Sequence, residues 1–276
     1  MVNVVVAFPA RNEEKNITSV LDSLLNQDLT PKQVFIANDG STDKTKDLAS
    51  KYQFVTLVDI PFRESSIVGT KEMANIWNSS IKPIFEFNQK VKVDYILFLG
   101  GDLILSKSYI SSLVNKFKVH KNLKMASGIM TGEYSIKYSG FMLPGGGRMV
   151  EYDYWNQIGG LFPFKDGWEA YPVYKANYDG YETKVFSDIF YHSVRPTGGR
   201  TNYFSYGKAM KALGYSYIFA FGRIMKQPFM QGRNIKASIN MLFGFIFGKT
   251  EFYDHELRNF VKKTQIDRII SLLKIF

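Results

Sequence analysis

Cysteine is absent from this chain, which excludes disulfide bonds, thiolate metal sites and a cysteine nucleophile. Histidine is scarce: His120, His192 and His255 are the whole supply. His120 falls in a basic helix end and His255 in an acidic patch. His192 follows a strand and precedes a Gly-rich turn, which makes it the one with candidate chemistry. No segment reaches the roughly 18 uninterrupted apolar residues of a membrane-spanning helix. The apolar run Val2–Pro9 is short and no basic stretch precedes it, so no secretory leader is expected. Internal repeats and low-complexity tracts are also missing.

What is present forms a core. The chain has 276 residues, 45% of them hydrophobic. That is enough for one domain, or one domain plus an extension, and too apolar for a disordered chain. The net charge of +10 is unevenly spread. Residues 1–200 hold 23 Lys/Arg against 21 Asp/Glu, whereas residues 201–276 hold 12 against 4. The last quarter is also aromatic, with Tyr203, Tyr206, Tyr217, Phe221, Phe243 and Phe247 among its rings. A basic, amphipathic segment suits an anionic surface. Its aromatics run with Leu, Ile and Met rather than forming a stacking platform, so a membrane is expected and nucleic acid is not. A helical subdomain with a solvated basic face is the plainer alternative.

Residues 1–130 alternate between strand-like and helix-like segments. Strands are predicted at Val2–Phe8, Gln33–Ala37, Phe54–Val58, Tyr95–Leu99 and Lys124–Thr131. Ile17, Val20, Leu21, Leu24 and Leu25 recur at helical spacing. Helices are also predicted from Asp43 to Tyr52, from Gly69 to Phe85 and from Ser106 to Phe117, with Ser106 as the N-cap. Such alternation implies a mostly parallel sheet covered by helices on both faces. The middle third is rich in loops and glycine, followed by a helix over Trp168–Tyr178 and a strand near Lys184–Tyr191. Beyond Pro196-Thr197-Gly198-Gly199 the pattern is helical to the end. The expected division is therefore a domain over 1–200 and an extension over 201–276.

Two strands run straight into acidic polar loops: Val4-Val5-Val6-Ala7-Phe8-Pro9-Ala10-Arg11-Asn12-Glu13-Glu14 and Val34-Phe35-Ile36-Ala37-Asn38-Asp39-Gly40-Ser41-Thr42-Asp43. In an open α/β sheet, ligands sit off the carboxyl ends of the strands. Asp39 at such an end can accept from a ribose hydroxyl or a base N–H. Gly40 allows a tight turn, and Ser41 offers a donor to a phosphate or to a helix start. A third strand, Tyr95–Leu99, ends in Gly100-Gly101-Asp102.

These strand–loop pairs resemble the nucleotide-sugar half of family-2 glycosyltransferases of the GT-A fold. The Gly145–Gly147 loop and the basic aromatic tail look like a polysaccharide or glycolipid subgroup. The resemblance implies a Rossmann-like mixed sheet flanked by helices, here with a C-terminal helical extension. It implies donor contacts from Pro9, Ala10, Arg11, Glu13, Asp39, Gly40, Ser41, Gly101 and Asp102. The family ends the third strand in Asp-x-Asp, where the last carboxylate meets a divalent cation. Here Gly100 stands at the first position and Asp102 remains. A late His often joins the metal, which points to His192 beside Asp102 as the holder of Mg²⁺ or Mn²⁺. A core histidine is the alternative for His192. Arg195 then reaches the diphosphate, since guanidinium pairs well with phosphate oxygens. The family also carries Glu-Asp, then Arg six residues on and Gly eleven residues on. Counting back from Gly180 puts Glu169 at the Asp position and Lys175 at the Arg position. Glu169 is the expected base, with Asp166 in reserve, and Gly145, Gly146, Gly147 and Trp168 are the expected acceptor loop.

The implied activity is sugar transfer, inverting and metal-assisted, from a nucleotide diphosphate sugar with UDP foremost. The acceptor is a glycan or a lipid-linked group, and the expected location is the cytoplasmic face of a membrane. The rival is a catalytically weak sugar-nucleotide-binding or scaffold protein of the same fold, supported by Gly100.

Overall fold

The computed structural model describes residues 2–133, 142–195, 202–226, 229 and 235–273. The Gly198-Gly199 turn and Lys274 lie outside the described residues. The chain divides into two compact units. The first comprises Met1–Ser66, Asn75–Phe162 and Asp179–Gly199; the second comprises Ile67–Ala74, Pro163–Tyr178 and Arg200–Phe276. The second unit thus includes two segments from before residue 200 as well as the extension.

The first unit is built on an eight-stranded sheet. Its strands are β1 (Val4–Ala10), β2 (Gln33–Asp39), β3 (Val55–Ile60), β4 (Tyr95–Phe98), β5 (Leu103–Leu105), β6 (Leu123–Thr131), β7 (Arg148–Glu151) and β8 (Glu182–Ser193). They lie in the order β3-β2-β1-β4-β7-β6-β8-β5. β3, β2, β1 and β4 are parallel neighbours. The sheet is mixed beyond β4, because β7 runs antiparallel to both β4 and β6, and β5 antiparallel to β8. The short strands β5 and β7 went unpredicted. Each is only three or four residues long and sits in a glycine-rich stretch, which gives periodicity little to work on.

β1 and β2 are apolar on both faces because both are covered, as expected of central parallel strands. Helix α1 (Ile17–Leu25) buries Ile17, Val20, Leu21 and Leu24 against the sheet. Helix α2 (Thr45–Ala49) follows β2. Helix α3 (Glu72–Lys90) contributes Trp77, which meets Phe98 and Phe162 edge-on at 5.9 Å. Helix α4 (Tyr109–Val119) begins three residues later than Ser106, and Ser108 in the cap position makes no side-chain cap bond. The Ser106 carbonyl instead accepts from Gln27 Nε2 at 2.8 Å. Buried Tyr109 ties two strands, donating to the Gly147 carbonyl at 2.5 Å and accepting from the Gly128 N–H at 2.9 Å. A short helix α5 (Tyr152–Gln157) buries Trp155.

The second unit is helical: α6 (Tyr171–Tyr178), α7 (Tyr203–Ala212), α8 (Tyr217–Lys226), α9 (Ile235–Phe247) and α10 (His255–Leu273). α7 and α9 pack backbone to backbone through glycine. A Cβ on Gly207 would lie 2.1 Å from the Met241 carbonyl oxygen, and one on Gly244 would lie 2.0 Å from that of Phe204. Met210, Ala220, Ile224, Met241 and Phe245 form a small core around this contact. On α10, Leu257, Val261 and Gln265 are buried, and Gln265 Oε1 accepts from the Ser216 N–H at 2.9 Å. Part of the amphipathic tail expected to face a membrane therefore packs within the unit. Ile266 and Ile270 remain exposed.

Candidate functional site

The carboxyl ends of β1 and β2 are locked together by side-chain to backbone bonds. Asn12, at φ 55°, lends its N–H to Ser41 Oγ at 3.1 Å and accepts from the Thr42 N–H at 2.9 Å. The Glu14 N–H donates to Asp43 at 3.1 Å, and the Glu13 N–H to Thr45 Oγ1 at 2.7 Å. Burial tends to raise the Asp43 carboxyl, but hydrogen bonds from Thr45 and the Glu14 backbone outweigh it and hold it below the usual range. Gly40 sits at φ +60°, and a Cβ there would lie 2.6 Å from the Phe62 Cα, so only glycine fits between this turn and the chain after β3.

Two charge clusters stand at this edge. Asp39 is buried and gripped bidentately by the Arg63 guanidinium. Arg11 donates to the Arg63 carbonyl and lies 5.7 Å from the Phe62 ring centre. In the second cluster, Arg195 bridges two acids. Its Nη2 donates to Glu13 Oε1 at 2.5 Å and its Nε to Asp102 Oδ2 at 2.8 Å. Asn16 donates to the other Glu13 oxygen at 2.8 Å. Burial pushes the Glu13 carboxyl up, against the lowering pull of Asn16 and Arg195. Burial works against the charge on Arg195, but Asp102 and Glu13 together hold it more firmly protonated. Gly101 lies under Glu13, where a Cβ would come 3.2 Å from Glu13 Cγ.

Glu13, Asp102 and Arg195, expected on separate loops, therefore come together, and Arg11, Gly40 and Asp39 meet beside Phe62 and Arg63. Pro9 and buried Ala10 form the end of β1. His192 is exposed on β8, in register with Ile104, while the Val194 N–H meets the Asp102 carbonyl at 3.0 Å. Among the described residues no three of His, Asp and Glu converge as a metal cluster. The chemistry of the donor set still suits a divalent cation that arrives with a diphosphate. Mg²⁺ keeps several waters and takes one or two carboxylates besides substrate phosphates. Glu13, Asp102 and Arg195 together are also one positive charge short of neutrality.

Arg63 was missed in the sequence. It could have been found, because β3 is a parallel neighbour of β2 and the loop after it opens at the same edge. Gly146 and Gly147 serve packing: a Cβ on Gly146 would lie 2.3 Å from Leu103 Cδ1, and one on Gly147, at φ +76°, 2.8 Å from the Tyr109 hydroxyl. Gly145 is half-buried beside them.

Glu169, Asp166 and Trp168 belong to the second unit. Asp166 is buried, accepts from Thr250 Oγ1 at 2.8 Å and pairs with Lys208 at 3.1 Å. Its carboxylate is thus engaged within the second unit. The Trp168 ring is buried and its indole N–H donates to the Thr70 carbonyl at 3.1 Å. Glu169 is exposed and acts electrostatically on the buried Tyr206 phenol, whose pKa is raised first by burial and in smaller part by Glu169.

Residues 5–69, which span β1 to the segment after β3, match the model of Glycosyl transferase family 2. Over that stretch the chain is similar to the family-2 glycosyltransferases. A 4,4'-diaponeurosporenoate glycosyltransferase of Staphylococcus aureus (strain bovine RF122 / ET3-1) is 28% identical over 118 residues, 42% of this chain and 28% of that protein. Its counterpart from strain USA300 is 29% identical over 115 residues. The match thus spans under a third of either relative's length. Among solved structures, S. aureus TarS 1-349 in complex with UDP-GlcNAc superposes with a TM-score of 0.58 at 17% identity, covering 90% of this chain and 81% of that one. The mannosyltransferase PcManGT of Pyrobaculum calidifontis, with GDP-Man and Mn2+, gives 0.55 at 14% identity over 98% and 75%. At these identities the structural likeness establishes the fold alone, a GT-A fold.

Proposed function

We propose that this chain transfers a sugar, with inversion, from a nucleotide diphosphate sugar to a glycan or lipid-linked acceptor. One observation carries the reading: Asp39–Arg63 and Glu13–Arg195–Asp102 stand together at the carboxyl edge of the parallel strands. Support comes from neighbours solved with UDP-GlcNAc and GDP-Man, and UDP is the first candidate here. In this reading Asp39 parts from Arg63 to accept from the base or ribose. Pro9, Ala10, Arg11, Glu13, Gly40, Ser41 and Gly101 wall that pocket. Arg195 exchanges a carboxylate for a diphosphate oxygen, which its charge and fork geometry suit. Asp102, with His192, would hold Mg²⁺ or Mn²⁺, and the cation would neutralise the leaving diphosphate as a Lewis acid. The acceptor oxygen bonds to the anomeric carbon as the bond to the diphosphate breaks, and Glu169 takes the acceptor proton.

We further propose attachment to the cytoplasmic face of a membrane through the second unit. Among the described residues no helix is long and apolar enough to cross a membrane. Large apolar side chains stand exposed on α8 and α9, among them Met225, Ile239, Phe243 and Phe247. Calorimetry with UDP-sugars, followed by product analysis, tests the donor reading. Binding without transfer or hydrolysis would favour a sugar-nucleotide-binding protein instead.

A further inference from the structure

The second unit contains a groove of about 880 Å³. It is walled by Tyr217, Ile218 and Phe221 of α8 and by Leu242, Phe245 and Ile246 of α9. Tyr217 and Ile218 are 79% and 73% exposed, an unusual state for such side chains unless something apolar covers them. The lining also carries different chemistry. Lys211, His255, Arg258 and Lys262 line the groove, and among the described residues that line it there is no carboxylate. Nearby acids are engaged elsewhere. Asp254 caps the start of α10 by accepting from the Glu256 N–H at 2.9 Å, and Glu256 accepts from the Tyr178 hydroxyl at 2.5 Å. Lys211 spends two donors on the Ile246 and Gly248 carbonyls, both at 3.0 Å, and keeps a third. The Arg258 guanidinium lies 4.3 Å from the Phe252 ring centre, and its Nε is buried with no hydrogen-bond partner among the described residues.

An apolar trough whose lining also includes three cations is complementary to one kind of molecule. We propose that the groove binds a single lipid phosphate, with its hydrocarbon tail along α8 and α9 and its phosphate against Lys211, Arg258 and Lys262. The volume falls in the usual range for one small ligand of roughly 300–1,000 Å³. The unpartnered Arg258 Nε marks a donor for which an anion would compensate. A tail without charge would leave the cations unanswered, and inorganic phosphate would leave the rings in water. The site lies wholly within the second unit and stands apart from the donor reading.

The test is calorimetry on the full chain with dodecyl phosphate kept below its micelle concentration. Saturable binding with one site per chain is expected, with none for inorganic phosphate or dodecyltrimethylammonium. Ile218→Glu, which puts a carboxylate in an exposed wall, and Lys262→Glu, on an exposed turn of α10, should each weaken binding about tenfold, or about 1.4 kcal/mol. A circular dichroism melt serves as the control for folding. Equal binding of the cationic and anionic amphiphiles, absence of saturation, or unchanged affinity in a folded Ile218→Glu would overturn the proposal. UDP titrated into the same wild-type sample keeps the readings distinct. Failure there with dodecyl phosphate bound removes the donor reading alone, and the reverse removes the groove alone.

Discussion

The two units handle charge and apolar surface in opposite ways. In the first, the apolar side chains of β1, β2 and α1 are buried, and Asp39, Glu13 and Asp102 at the strand ends are each met by an arginine. In the second, α8 and α9 leave rings and branched side chains in solvent, and the cations outnumber the acids. A closed electrostatic arrangement on rigid strand ends suits a small polar ligand that displaces internal partners. An unbalanced, apolar surface suits a ligand or surface that is itself apolar and anionic. The comparison makes separable claims: damage to the first unit should act on donor and chemistry, and damage to the second on lipid and membrane.

The largest expected effect tests whether chemistry also draws on the second unit. Glu169→Gln is nearly isosteric and cannot accept a proton. Sugar transfer should fall by roughly 10²–10⁴-fold, with UDP-sugar affinity unchanged by calorimetry. Full activity would exclude Glu169 as base, and Asp166 is engaged by Lys208 and Thr250.

Next comes the closed charge arrangement itself. Asp39→Ala should lower donor affinity by about 100-fold, equivalent to about 2.7 kcal/mol. It also strands the Arg63 guanidinium, so the thermal midpoint should drop as well, by less than the several kcal/mol typical of a fully buried ion, because Arg63 is partly solvated. Unchanged donor affinity would sink the assignment of Asp39. Chelation with EDTA should then abolish transfer. Asp102→Asn should raise the Mn²⁺ concentration for half-maximal rate by about tenfold, or about 1.4 kcal/mol. Activity that persists in EDTA would leave Arg195 as the sole counter-charge to the diphosphate.

The same division governs what could be read in advance. The β1 and β2 ends were legible because strand, loop and helix start follow one another within a dozen residues, and each local choice constrains residue type: Gly40 for its turn, Asn12 and Asp43 for bonds to backbone. Arg63 was harder to read, since its partner Asp39 lies 24 positions away; the one signal was topological, the loop after β3 opening at the same edge as the loop after its parallel neighbour β2. Gly146 and Gly147 suggested a ligand loop, yet their small size is used against Leu103 and Tyr109. Trp168 and Asp166 looked like site residues for the same reason. A buried indole with one hydrogen bond, or a buried carboxylate with a lysine, has the same composition as a binding site until its surroundings are known. On α10, helical periodicity identified an apolar stripe but could not say whether protein or membrane covers it, because both burials favour the same pattern.

The smallest effect concerns that ambiguity. Deleting residues 201–276 would be a poor test, because Asp166 and Trp168 belong to the same unit as the deleted helices and would lose neighbours. Paired substitutions in the full chain avoid this. Phe243 and Phe247 are exposed neighbours on α9, with ring centres 5.6 Å apart. Replacing both with Ser removes apolar area without opening the core around Met241 and Phe245. If α9 enters the headgroup layer, binding to anionic vesicles should weaken about 30-fold in co-sedimentation, since each of the two aromatics contributes on the order of 1 kcal/mol when only partly inserted. The same double change at Ile266 and Ile270 of α10 should shift binding by less than about twofold, because the neighbouring Leu257 and Val261 already face protein. Both variants should keep the salt sensitivity that comes from basic residues near an anionic surface, about 1 kcal/mol each. A larger loss from the α10 pair than from the α9 pair would reverse the assignment and make the C-terminal helix the one that meets the membrane.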